Sequence, residues 1–135
     1  AEASAPALPA ALVEQVKKLT AADAAVRFEA VDELLKSKDA AVVAHLLPLT
    51  RDPDSFVRRL TVEGLAQWKR PDIVDTLLVA LTDADESVRG AAWRSLKDLT
   101  GQKLAFDAAA SKDARARAIQ RWQEWWDKNK ATFGS

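Results

Sequence analysis

Apolar residues in this chain recur in steps of three and four within short segments, and the segments themselves recur every 31 residues. Val26, Ala30 and Leu34 are followed in the same register by Val57, Thr61 and Leu65, and again by Val88, Ala92 and Leu96. Steps of four place the members of each set on one helical face. Val31, Val62 and Trp93 broaden that stripe to the width a core-facing helix needs, which puts Trp93 in the core. Upstream, Ala11, Leu12 and Val16 align with Val42, Val43 and Leu47 and with Ile73, Val74 and Leu78, predicting a first helix in each unit. The pattern therefore predicts an all-α chain of three helical hairpins, at about residues 9–38, 39–69 and 70–100. Arrays of this kind bury their core by stacking one unit on the next and present a surface more often than they house chemistry.

The polar punctuation fits the same plan. Pro9 and Pro71 stand at the starts of their first helices, where a missing N–H costs nothing, whereas Pro48 falls late in its helix and should bend or end it. Asp52 and Asp83 are natural N-caps for the second helices, and Glu86 would complete a capping box with Asp83. Asp23, Asp54 and Asp85 would then lie in the first helical turn, four residues ahead of Arg27, Arg58 and Arg89, able to pair along the helix or with the next unit.

After Leu99 the period stops. Thr100-Gly101 reads as a helix end, and Gln102–Asp107 as a loop with two apolar anchors, Leu104 and Phe106. From Lys112 to about Lys130, Ile119, Trp122, Trp125 and Trp126 mark a last helix with one aromatic face, suited to cover the final seam of the array. Residues 1–8 are expected to form a flexible lead and 101–135 the loop with its tryptophan-rich capping helix.

The motif Asp-x-x-Val-Arg-x-x-Ala-x-x-x-Leu, at Asp23–Leu34 and Asp85–Leu96, resembles the bacterial HEAT and HEAT-like (PBS-lyase-type) repeat family over about residues 9 to 100. That resemblance implies an α-solenoid, with Asp23, Asp54, Asp85, Arg27, Arg58 and Arg89 forming a structural ladder between stacked second helices. The middle unit departs from it with Thr61 in the small-residue slot. Leu99–Gln102, Phe106-Asp107, Arg121-Trp122 and Trp125-Trp126 also resemble the C-terminal ends of HEAT-repeat proteins from environmental bacteria, many of them exported.

Composition narrows the partners. With 20 basic and 20 acidic residues, the whole-chain field that gathers nucleic acid or anionic lipid is missing. No apolar run approaches a membrane span, and the absence of cysteine removes disulfides and thiolate chemistry. The lead Ala1–Ala7, small-residue and proline-containing, looks like a mature chain after signal-peptide cleavage, giving a periplasmic or secreted location with the cytoplasm as the alternative. Gly134-Ser135 resembles a cloning scar.

Candidate chemistry is sparse. His45 is the sole histidine and aligns with Glu14 and Thr76 on a solvated face, so neither a metal site nor a catalytic triad is expected. The aspartate clusters are explained by capping, and neither turn has the glycine and extra oxygen ligands of a calcium loop. No cofactor is expected. Positions that differ between repeats point to function: Phe28, Arg59 and Gly90, then Asp32, Glu63 and Arg94, then Lys36, Gln67 and Asp98. Arg59, Glu63, Arg94, Trp125 and Trp126 are thus the expected contacts to a partner protein. The expectation is a non-catalytic protein-interaction scaffold or accessory subunit of a larger assembly. A HEAT-like bilin lyase-type enzyme, or a weak nucleic-acid binder using Arg58, Arg59, Arg89 and Arg94, is the alternative.

Overall fold

The computed structural model describes residues 8–134, and every regular element among them is a helix. They run α1 (Ala10–Lys18), α2 (Ala24–Lys36), α3 (Val43–Leu46), α4 (Ser55–Leu65), α5 (Pro71–Ala80), α6 (Glu86–Thr100) and α7 (Lys112–Asn129). The expectations for the lead at Ala1–Ala7 and for Ser135 lie outside the described residues. The chain divides into two compact units, Ala1–Thr61 and Val62–Ser135, with the boundary inside α4.

In the first unit α1 packs against α2, and the core is built from Ala30, Val31, Leu34, Val42, Val43, Leu46 and Val57. The predicted stripe of the second helix is therefore buried except at Val26, which is only half-buried, whereas on α1 Ala11 is exposed and Leu12 and Val16 are half-buried. Pro48 acts as expected. Its missing N–H cannot continue an α-helical ladder, so α3 is held to one turn between 3-10 turns at Ala40–Val42 and Leu47–Arg51. Thr61 resolves its own departure from the repeat pattern: fully buried, it donates its hydroxyl to the Val57 carbonyl one turn back at 2.8 Å.

In the second unit α5 opens with Pro71 in its first turn and packs against α6, burying Ile73, Val74, Leu77, Val88, Ala92 and Leu96. Ser95 of α6 donates to the Val62 carbonyl on the closing part of α4. Gly101 ends α6 with φ +73, a left-handed conformation that a side chain would strain. The loop beyond it buries Phe106, and the Leu104 carbonyl accepts from two indoles, Trp93 Nε1 at 2.9 Å and Trp122 Nε1 at 3.2 Å. This one backbone oxygen ties the loop to both α6 and α7.

Helix α7 is capped by Ser111 and lies against α5. Ala118, Trp122 and Trp126, four residues apart, are its buried stripe. Trp126 Nε1 donates to Asp75 Oδ1 at 2.7 Å, Lys130 pairs with the same carboxylate, and Phe133 meets the Trp126 ring edge-to-face at 5.2 Å.

Candidate interaction surface

Two aspartates compete for the cap in the second and third turns, Asp52 with Asp54 and Asp83 with Asp85, and the structure resolves the competition against the sequence expectation. Asp23 and Asp85 are the N-caps of α2 and α6, and Asp54 accepts from the Phe56 and Val57 N–H groups that open α4. Asp52 and Asp83 stand two residues too early to reach those donors. Each accepts instead from the N–H of the aspartate two places on, closing an Asx turn. Glu86 follows the cap directly, so it cannot serve as the third-position residue of a capping box.

The ladder shifts by the same two residues. Arg27 does not pair with Asp23 on its own helix; it reaches Asp52, Nε to Oδ2 at 2.8 Å and Nη2 to Oδ1 at 3.0 Å. Its Nη1 donates to the carbonyls of Ala21 and Ala22. Arg58 likewise donates from Nη1 to the Asp52 and Pro53 carbonyls, and Arg89 to those of Asp83 and Ala84. Each arginine thus stitches its helix to the turn that precedes it, satisfying carbonyls that the turn leaves open. Burial by itself would raise the Asp52 carboxyl, but hydrogen bonds from Arg27 and the Asp54 N–H, with the Arg27 and Arg58 charges, hold it below its ordinary value. The Asp52 hydrogen bond in turn raises Arg27.

The varied positions behave differently. Arg59 is exposed in the first unit. In the second, Glu63 and Arg94 approach to 3.8 Å with about half of each side chain in water, at 43% and 54%. Gly90, buried, lies beneath Arg94, whose Nη1 would stand 3.3 Å from a Cβ placed there. Asp98 and Gln67 are exposed as well.

The tryptophans separate cleanly. Trp126 is 1% exposed and is withdrawn as a contact residue: its place on the Ala118-Trp122-Trp126 stripe turns it into the core, where Asp75 holds it. Trp125, about 100° around the helix, stays half-buried with its ring 6.2 Å from both neighbouring indoles. Trp93 is also only half-buried, since its indole is held at the rim by the Leu104 carbonyl and covered on one face by Lys97 at 3.5 Å. His45 is exposed.

Sequence reasoning missed Phe56, which is 71% exposed. The signal was available: it aligns with Ala25 and Ser87, positions carrying no apolar stripe. Asp75 and the Leu104 carbonyl were also missed, both being partners supplied across the fold.

A sequence profile of the family described as HEAT repeats matches residues 43–123, more than half of the chain. No curated protein sequence matches the chain. No helix among the described residues is long and apolar enough to cross a membrane.

Proposed function

The chain belongs to the HEAT-repeat family, an α-solenoid class whose repeats generally mediate protein–protein interaction, and we propose that it is a non-catalytic binding module serving as an accessory subunit of a larger assembly. The observation that carries this is a division of labour along the repeat. Positions that recur are consumed by the fold: Arg27 by Asp52 and two carbonyls, Arg89 by three carbonyls. Positions that vary, Arg59, Glu63 and Arg94, stay exposed on the second helices, and Trp125 adds a half-buried aromatic. Arginine and tryptophan at a partly desolvated surface are the residue types that dominate interface energetics.

The test is a photo-crosslinking amino acid placed at position 94, with one at position 45 as a control, followed by recovery of adducts from the native source. The proposal expects a discrete protein adduct from position 94 and none from position 45. Equal labelling from both positions contradicts it.

A further inference from the structure

Arg27 and Arg89 hold the same place in their repeats and make the same Nη1 contacts to their own turns, yet their other partners differ in charge. Nε and Nη2 of Arg27 close on the Asp52 carboxylate, whereas those of Arg89 close on the Ala108 carbonyl at 3.0 and 2.8 Å. The loop before α7 thus supplies a neutral oxygen where Arg27 meets a full negative charge. Arg89, nearly buried at 9% exposure, is satisfied in hydrogen bonds but has no carboxylate at hydrogen-bond distance among the described residues.

Beside it opens a cleft of about 260 Å³, between the Thr82–Ala84 turn with Arg89 and the first half of α7, where Lys112, Arg115 and Ile119 line it. Arg115 is pinned through Nε to the Ala110 carbonyl at 3.1 Å, and neither it nor Lys112 forms an ion pair among the described residues. Three cations, Arg89, Lys112 and Arg115, face a single carboxylate, Asp83, so the lining carries a formal charge of +2 on a chain whose net charge is zero. Ile119 and the Ala84 and Ala116 methyl groups make the rest of the wall apolar.

We propose that this cleft receives an acidic segment of a partner protein, one carboxylate side chain with an aliphatic neighbour. The cations match a carboxylate in a partly desolvated place, where charge-assisted hydrogen bonds are strong, and the apolar wall matches the neighbour. The Asp83 carboxylate in the lining disfavours a dianionic phosphate, and the Arg27–Asp52 pair shows what this guanidinium position accepts within the fold itself. The inference rests on the reading of the protein as a binder of proteins and adds a second site to it.

The experiment is a titration of the ¹⁵N-labelled full chain, followed by NMR, with the blocked peptide Ac-Gly-Leu-Glu-Leu-Gly-NH2, its glutamine counterpart and inorganic phosphate. The glutamate peptide should shift amides at 82–84 and 112–119, and the paired change Lys112→Gln with Arg115→Gln should weaken it by about tenfold or more. Arg117→Gln with Arg121→Gln, which removes the same charge from exposed positions of α7 away from the cleft lining, should leave affinity within about twofold, as remote exposed charges are largely screened. Thermal melts of both paired variants confirm that α7 remains folded. Absence of shifts at the cleft, equal binding of the glutamine peptide, equal loss in the remote variant, or displacement by phosphate at a lower concentration than the peptide each overturns the proposal. Because the probe is a synthetic peptide, its failure leaves crosslinking from position 94 unaffected, and the two readings fall separately.

Discussion

At the scale of single residues, the Asp-Val-Arg signature does two jobs that the sequence runs together. Both aspartates of a turn have the chemistry of a cap, so spacing alone does not decide between Asp52 and Asp54; the helix start at Ser55 does, by putting only Asp54 within reach of the first free N–H groups. The freed Asp52 then meets Arg27 from 25 residues earlier, a contact no local pattern encodes. Its depressed carboxyl pKa has a definite sign: the stabilisation is present above the unfolded carboxylate pKa of about 3.9 and is lost as pH falls through the lower folded value. Asp52→Asn should therefore lower the unfolding temperature at neutral pH and flatten its decline below about pH 4, read by circular dichroism across a pH series. The exposed pair of Lys36 with Asp32 should give a smaller loss on Asp32→Asn, because water screens it.

The tryptophans make the same point about phase. The sequence marks Ile119, Trp122, Trp125 and Trp126 as one aromatic face, and only the structure picks out Ala118, Trp122 and Trp126 as the buried stripe that separates the buried indole from the half-exposed one. Trp126→Ala should cost about 3 to 5 kcal/mol, as for other large-to-small core changes. Trp125→Ala should cost clearly less, and chemical denaturation of the two variants gives the comparison. An equal loss would contradict the burial assigned to them.

At the scale of elements, the hairpins were readable because an amphipathic face is a local property, repeated every 31 residues in the same register. Pro48 and Gly101 were readable for a similar reason: each acts on its own backbone. What holds α7 was not, since Leu104 contributes a carbonyl and Asp75 a side chain from elsewhere in the fold. Helix α6 offers a direct test of the divide between fold and function. Gly90 lies mid-helix, where alanine gains about 0.5 to 1 kcal/mol in helix stability. Its Cβ would meet only the flexible end of Arg94 at 3.3 Å and Ala108 Cβ at 3.8 Å. Gly90→Ala should thus raise the unfolding temperature while moving the Arg94 guanidinium, giving a more stable protein with weaker partner recovery. A drop in stability would mean that Arg94 cannot move aside.

At the scale of the molecule, repetition marks what the fold uses, and variation marks what it leaves over. The repeated arginines are tied into turn carbonyls and Asp23, Asp54 and Asp85 into caps, while Arg59, Glu63, Arg94 and Asp98 remain exposed. The tryptophan-rich helix contributes to both sides of that division, through buried Trp122 and Trp126 and half-buried Trp125. The proposed surface consists of the varied positions Arg59, Glu63 and Arg94 with Trp125, separate from the cleft beside Arg89. The most direct measurement is partner recovery by the purified chain from its native source, set beside the unfolding temperature, for a variant carrying Arg59→Ala, Glu63→Ala, Arg94→Ala and Trp125→Ala. The account predicts that recovery collapses while the variant remains folded and melts cooperatively. Full recovery by a folded variant would contradict it.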